Sequence, residues 1–108
     1  MSDMSDLTKM AKIEVVIDGQ DEATVRDLFL GAGASGYTAV TGVSGFGHHG
    51  RHQGRLLFND RASLSLLISV VPLDRVEALV AGIRRLLDND HGVLFVTETY
   101  VSRPDYFT

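Results

Sequence analysis

The chain has 108 residues, of which 44% are hydrophobic and 22% are charged, as in an ordinary globular domain. Its formal net charge of -4 argues against a surface that binds nucleic-acid backbones. The sequence contains no cysteine, which excludes disulfides, thiolate nucleophiles and cysteine-ligated metals. No apolar run reaches the ~18 residues of a membrane span, and no signal-peptide pattern opens the chain. We expect a cytoplasmic protein without membrane insertion, with a flexible tail at residues 1–10 and one domain at residues 11–108.

The first part of the chain predicts a strand, a helix and a second strand. Residues 11–18 alternate apolar and polar side chains, the two-residue period of a strand with one buried face. Residues 21–34 carry apolar side chains at helical spacing, and Gly33 is placed to end that helix. Residues 36–43 are rich in β-branched and aromatic side chains, which predicts the second strand.

The second part repeats this order. Residues 56–58 resemble a short extended segment, and residues 62–71 a longer strand that ends at Pro72. Asp74 is placed to cap a second helix, whose apolar side chains form one stripe. Residues 93–101 are the last predicted strand. The order β-α-β-β-α-β predicts an α+β fold of the ferredoxin-like class, with one antiparallel sheet and both helices on one face.

The predicted sheet has more apolar side chains than two helices on one face can cover. In residues 62–71, Leu64 and Leu66 point to one face and Leu67 and Val71 to the other, and residues 93–101 are similarly two-sided. Strands of this kind belong to sheets that are covered on both faces. A second copy of the chain would cover the remaining face, so we expect a homo-oligomer. Scattered exposed apolar residues are the alternative.

Residues 44–54, the glycine–histidine loop, have the sequence SGFGHHGRHQG. Gly45 and Gly47 allow backbone N–H groups to approach an anion such as a phosphate. Further hydrogen-bond donors are available from His48, His49, Arg51 and His52. The same histidines allow a metal site if they converge, although no carboxylate lies near them. A simple connecting loop is the third interpretation, and the residues alone leave all three open.

The rest of the sequence contains no strong candidate for a catalytic or metal-binding site. The sequence has no arrangement of side chains typical of a nucleophilic triad, a carboxylate pair or a metal-ligand motif. We therefore do not expect an enzyme.

Three motifs, in order along the chain, resemble those of the PII signal-transduction superfamily. They are Gly-Tyr-Thr at residues 36–38, Gly-Phe-Gly at 45–47 and Gly-Val-Leu-Phe-Val at 92–96. The resemblance extends over about residues 11–103. It implies a trimer of ferredoxin-like subunits that binds adenine nucleotides in clefts between neighbours.

The resemblance also implies positions for the nucleotide site. Thr38 matches a residue near the base or ribose, Gly92 matches a glycine of a turn that approaches the nucleotide, and Arg103 lies near phosphate-binding arginines. The full set of implied nucleotide-binding residues is Thr38, Gly45, Phe46, Gly47, His48, His49, Gly50, Val71, Gly92, Val93 and Arg103. Arg51 and His52 are candidates for binding an anion such as bicarbonate, and no tightly bound metal is implied.

The chain departs from nitrogen-regulatory PII proteins in ways that narrow the resemblance. No lysine follows Lys12, and Val93 replaces the usual lysine before the last strand, which favours ADP or AMP over ATP. The loop segment 48–61 is short and has no tyrosine for uridylylation. In these features the chain resembles the branch of PII-like proteins that is associated with bicarbonate transporters and carboxysomes. The resemblance implies a non-enzymatic sensor that acts on a transporter or a carboxysome-related component.

Two related fold classes remain as alternatives. A CutA-like trimer would bind metal through His48, His49 and His52. A small enzyme of the acylphosphatase type would depend on an arginine, but no motif of that class is present in the sequence.

Overall fold

The computed structural model describes residues 4–43, 64–88 and 92–108. Within these residues the elements are β1 (Thr8–Asp18), α1 (Glu22–Gly31), β2 (Thr38–Val43), β3 (Leu64–Val71), α2 (Val76–Leu87) and β4 (Val93–Val101). Short 3-10 turns precede α1 and α2, and another follows β4 at Pro104–Phe107.

The strands form one sheet in the order β2-β3-β1-β4, and all neighbouring strands are antiparallel. Both helices pack on the same face of this sheet, since their buried side chains share one core with the inward side chains of β1 and β3. This arrangement confirms the predicted ferredoxin-like α+β fold.

Two-residue alternation places the core on the helix-covered face. In β1, Ile13, Val15 and Ile17 are fully buried, and in β3 Leu67 and Val71 are fully buried as well. The helices contribute Val25, Phe29, Leu79 and Ile83 to the same cluster. Burial of an aliphatic or aromatic side chain stabilises a fold by about 1.5–3 kcal/mol, so this cluster is the principal source of stability.

Two serines share the inward face of β3 with these apolar residues, and both are only 2% exposed. The Ser65 hydroxyl donates to a carboxylate oxygen of Glu22, at 3.0 Å. The Ser69 hydroxyl donates to the carbonyl of Gly36, at 2.7 Å. Because each buried hydroxyl has a partner, neither pays the desolvation penalty of an unsatisfied group. The serines thus connect β3 to the start of α1 and to the segment before β2.

The first helix ends as its glycine predicts. Gly33 has a φ of +92°, and the N–H groups of Gly33 and Ala34 donate to the carbonyls of Leu30 and Phe29, each at 3.0 Å. This pair of bonds is a Schellman motif. A further bond joins Arg75 Nη1 to the Gly33 carbonyl at 2.9 Å, so the turn before α2 is attached to the end of α1.

Three boundaries differ from expectation. β1 begins at Thr8 and Met10 is 2% exposed, so residues 8–10 belong to the sheet and not to the predicted tail, because they pair with the end of β4. α2 begins at Val76 after a 3-10 turn and has no side-chain cap, so the predicted cap at Asp74 is wrong. The predicted segment 56–58 lies outside the described residues.

The other face of the sheet carries an apolar row that crosses all four strands. In neighbouring register positions lie Val40 of β2, Leu66 of β3, Val16 of β1 and Val93 of β4. Val40 is 45% exposed and Val93 is 51% exposed, and Phe95 beside them on β4 is 51% exposed. The described residues therefore leave an apolar face uncovered, as the two-sided strands predict.

Candidate functional site

A cleft of about 260 Å³ opens beside β2, where the C-terminal residues return to the sheet. Its lining consists of Ser35, Gly36, Tyr37, Thr38, Ile68, Ser69, Val70, Tyr106 and Phe107. The cleft thus combines aromatic rings, aliphatic side chains and hydroxyl groups. This mixture is typical of sites that bind a small molecule with both apolar and polar parts.

The position of the β2 side of the cleft is fixed by the pairing of β2 with β3 and by one buried hydroxyl group. Thr38, the first residue of β2, pairs with Ile68 of β3, and its side chain is exposed. The bond from Ser69 to the Gly36 carbonyl holds the segment before β2 against β3. The exposed Thr38 is therefore presented at the cleft by a fixed backbone, and its contact with a nucleotide stays a prediction.

Residues 103–107, the C-terminal hook, contribute Tyr106 and Phe107 to the lining of the cleft. The guanidinium carbon of Arg103 lies 5.0 Å from the centroid of the Tyr106 ring, and Arg103 Nη1 donates to the Tyr106 hydroxyl. The Tyr106 N–H donates to the Arg103 carbonyl at 3.0 Å. The Ser35 hydroxyl donates to the Tyr106 carbonyl at 2.7 Å. Arg103 is therefore linked to the cleft through Tyr106.

A second arginine borders the cleft at Tyr37. A hydrogen bond with the Tyr37 side chain, together with the neighbouring Asp27 carboxylate, raises the pKa of Arg26. Its guanidinium Nε lies 3.4 Å from Asp27 Oδ1, an exposed ion pair. Two of the tyrosines that line the cleft, Tyr37 and Tyr106, thus each have an arginine beside them, and Arg26 is already paired with Asp27.

Gly92 and Val93 lie at the opposite edge of the sheet from the cleft, where β4 begins. Gly92 immediately precedes β4, and a Cβ at this position would overlap Leu87 and come within 3.0 Å of the Val16 carbonyl oxygen. Val93 begins β4 and pairs with Val16. Gly92 is therefore closely packed, and it is remote from the cleft of the same chain.

Val71 has a different environment from the other predicted residues. Its side chain is fully buried in the core, on the helix-covered face of β3. Only its main chain is available for contact with a ligand.

The remaining predicted positions lie outside the described residues. They are Gly45, Phe46, Gly47, His48, His49, Gly50, Arg51 and His52. The strands on either side locate the ends of this segment: β2 ends at Val43 and β3 begins at Leu64. Leu64 pairs with Asp18 at the end of β1 and Val93 pairs with Val16, so the segment starts and finishes at the same end of the sheet as Gly92.

The site residues thus form two groups, one at the cleft beside β2 and one around the start of β4. Thr38 belongs to the cleft and Arg103 is linked to it through Tyr106, whereas Gly92 lies with the ends of the glycine–histidine segment. Sequence reasoning missed Ser35, Tyr106 and Phe107. The adjacent aromatic residues after Pro104 were a signal, but their contact with Ser35 links positions 71 residues apart and leaves no local pattern.

The described residues contain neither a metal-binding cluster nor a membrane-spanning helix. Among residues 4–43, 64–88 and 92–108, no group of three or more histidine, cysteine, aspartate or glutamate side chains is arranged to hold a metal ion. No helix in this described part is long and apolar enough to cross a bilayer.

Comparison with solved structures found close likenesses to CPII from Thiomonas intermedia K12, a nitrogen regulatory PII-like protein. A CPII structure with ADP, AMP and bicarbonate matches at 36% identity and a TM-score of 0.82, over 94% of this chain and 95% of CPII. A structure with ADP and bicarbonate matches at 33% identity and 0.81, over 94% and 97%. The apo form matches at 30% identity and 0.71, over 88% and 94%.

No curated protein sequence matches the chain at a significant level. The family model for nitrogen regulatory protein P-II, however, matches residues 10–106. This range includes both helices, the cleft residues up to Tyr106, and all of the described strands apart from the first two residues of β1. Together with the fold and the likeness to CPII, the match means that the chain belongs to the nitrogen regulatory protein P-II family.

Proposed function

We propose that this protein is a non-enzymatic, cytoplasmic PII-like signalling protein that binds ADP or AMP between the subunits of a homotrimer. Bicarbonate is a second ligand, and binding changes how residues 44–63 meet a protein target in inorganic-carbon metabolism, such as a transporter or a carboxysome-related component. The observation that carries the proposal is the 36% identity, over 94% of the chain, to CPII in a structure with ADP, AMP and bicarbonate.

The separation of the two groups of site residues supports a site shared between subunits. Thr38 cannot meet Gly92 within one chain, because β2 and β4 are opposite edges of the sheet. Arg103 is also kept apart from Gly92, because the nine extended residues of β4 lie between them. In a cyclic assembly, the cleft end of one subunit meets the Gly92 end of the next. The cleft of about 260 Å³ is also smaller than the roughly 300–1,000 Å³ of complete small-molecule sites, as expected for half of a site.

The apolar row supports self-assembly. Val40, Leu66, Val16 and Val93 lie side by side on a face that the described residues leave open. Burying this row against two further copies removes apolar surface from water at about 25 cal/mol per Å². A homotrimer with the open faces at its centre would bury the apolar row and would also allow each site to form between two subunits.

The choice of ADP or AMP rests on the cations that are available. No lysine follows Lys12 in the sequence, so arginine and histidine side chains must balance the phosphate charge. Arg103 contacts Tyr106, which lines the cleft, and Arg51 and His52 belong to the glycine–histidine loop. A ligand with one or two phosphates needs fewer cationic partners than ATP does.

Calorimetric titration with AMP, ADP and ATP, each with and without bicarbonate, tests the proposal. We expect micromolar binding of AMP or ADP, weaker binding of ATP, and an effect of bicarbonate on nucleotide affinity. Light scattering on the same samples checks that the protein is trimeric. Absence of heat with every nucleotide, with the trimer intact, would refute nucleotide sensing.

Mixed trimers test whether each site spans two subunits. Arg103→Ala removes a group from the cleft half, and Gly92→Ala disturbs the other half through its contacts with Leu87 and Val16. Each variant alone should bind ADP poorly. Trimers reassembled from equal amounts of the two should recover about one intact site in four, because some neighbours pair two undamaged halves. No recovery in mixed trimers would place both groups in one subunit's site.

Bicarbonate contact at the glycine–histidine loop has its own test. Arg51→Gln and His52→Gln remove the proposed anion partners while the cleft residues remain unchanged. Both variants should bind ADP as the parent protein does but show no effect of bicarbonate. An undiminished bicarbonate effect in both would remove these residues from the anion site.

A further inference from the structure

We infer that the ring of Tyr106 is the surface on which the base of the bound nucleotide stacks, with Arg103 on the other face of the ring. The inference rests on the proposed nucleotide-binding function and assigns a base-recognition residue within it. The residue lies in the C-terminal hook, outside the motifs that carry the family resemblance.

The environment of Tyr106 suits a stacking role. The residue is 60% exposed and lines the cleft, although it is large and aromatic. Exposed aromatic rings in a concave site are ready partners for a flat ligand ring, since stacking removes both surfaces from water. The other walls add the aliphatic side chains of Ile68 and Val70 and the hydroxyl of Thr38. This set fits a planar heteroaromatic ring with polar edges.

Arg103 strengthens the ring as a stacking surface. Its guanidinium carbon lies 5.0 Å from the ring centroid, within the range of a cation–π contact, and so occupies one face. A base on the opposite face would complete a layered arrangement of guanidinium, phenol ring and base. The same guanidinium remains near the cleft, where a phosphate oxygen can accept from it.

The hook is held in place before any ligand binds. Ser35 fixes the Tyr106 carbonyl at 2.7 Å, the Tyr106 N–H bonds to the Arg103 carbonyl, and the Tyr106 hydroxyl accepts from Arg103. These contacts fix the ring from both its main chain and its hydroxyl. Less conformational entropy is then lost when a base stacks on it.

Two substitutions of Tyr106 distinguish a role of its ring in stacking from a role of its hydroxyl in positioning Arg103. Tyr106→Leu removes the ring, whereas Tyr106→Phe keeps the ring and removes only the hydroxyl that Arg103 contacts. The matched control is Tyr100→Leu, since Tyr100 is 46% exposed on β4, away from the cleft lining. ADP affinity is measured by calorimetry on the intact assembly. We expect a loss of about tenfold or more for Tyr106→Leu, and a change within about threefold for Tyr106→Phe and Tyr100→Leu.

Tyrosine fluorescence gives a direct optical readout. The chain has three tyrosines and no tryptophan, so its emission reports on Tyr37, Tyr100 and Tyr106 alone. ADP should quench this emission in the parent protein and in Tyr100→Leu but change it little in Tyr106→Leu.

The outcomes distinguish this inference from the proposed function. If the parent protein binds no nucleotide, both fail. If it binds ADP and Tyr106→Leu binds equally well in an intact trimer, the stacking role is wrong and the proposed function stands. If Tyr106→Phe loses as much affinity as Tyr106→Leu, the ring is not a stacking surface and the hydroxyl acts only by positioning Arg103.

Discussion

Gly33 shows how one residue type determines the end of an element. Its φ of +92° lies in a region that L side chains rarely adopt, and its carbonyl accepts from Arg75 at 2.9 Å. A Cβ at this position would overlap the Arg75 guanidinium. The glycine therefore serves two purposes: it lets α1 stop, and it leaves room for the side chain that attaches the next helical turn to that end.

Gly33→Ala should lower the free energy of unfolding by about 2 kcal/mol, from backbone strain and the displaced Arg75 bond. Urea denaturation monitored by circular dichroism measures the change. Gly31→Ala is the matched control, because Gly31 is the last residue of α1 and a Cβ there meets nothing within 4 Å. The control should leave stability unchanged or raise it, since alanine favours helix. Equal losses in both variants would contradict this account.

At the scale of elements, β3 connects the core to the candidate site. Its inward face alternates serine with apolar residues, and each serine hydroxyl bonds a different element. Ser65 reaches Glu22 at the start of α1, while Ser69 reaches Gly36 in the wall of the cleft. The strand therefore positions the cleft by a bond that is separate from its contribution to the core.

Ser69→Ala should cost about 1 kcal/mol of stability and also weaken ADP binding, because the segment before β2 loses its anchor. Ser65→Ala is the control: it is equally buried, at 2%, and lies on the same strand, but its partner is remote from the cleft. It should lower stability similarly and leave ADP affinity unchanged. Denaturation and calorimetry on both variants provide the comparison, and parallel loss of affinity would contradict a local role for Ser69.

Local patterns predicted most of these elements. Alternation along β3 separated the inward Leu67 from the outward Leu66, and the helical stripe with its terminal glycine located the end of α1. Such features depend on near neighbours, which the sequence displays directly.

Contacts between distant residues could not be predicted in this way. Arg75 bonds a carbonyl 42 residues away, and Ser35 bonds one 71 residues away. Asp74 has the right chemistry for a helix cap, but a 3-10 turn occupies that place. Thr8 joins β1 because β4 is long enough to pair with it, a fact that its own neighbours do not indicate. In the candidate site, Thr38 and Arg103 were identified only through family resemblance, and Tyr106 not at all.

The whole molecule is organised around a sheet with two different faces. One is closed by helices, and the other presents the apolar row and Phe95. Val93 belongs to this open face and is 51% exposed in the single chain. A charge at this position should therefore be tolerated by the subunit's own fold but not by an assembly that buries the face.

Val93→Asp should convert the proposed trimer into monomers, since each copy would bury an unpaired carboxylate in place of a side chain worth about 2 kcal/mol. Val96→Asp is the control: Val96 is 44% exposed on the same strand, and its neighbour in β1 is Ile13, on the helix side of the sheet. Light scattering measures the mass of both. A trimeric Val93→Asp variant would show that the open face is not the interface.

Because of the apolar row, the stability of the fold should also depend on protein concentration. A subunit that buries part of its hydrophobic surface only against its copies gains that stability by mass action, and dilution removes it. We expect the melting temperature to rise with protein concentration, and that of Val93→Asp to be both lower and independent of concentration. Nucleotide bound between subunits would favour the assembled state, so ADP should lower the protein concentration at which the trimer forms. The cell's supply of the protein itself would then act alongside the nucleotide in setting how much of the sensor is assembled.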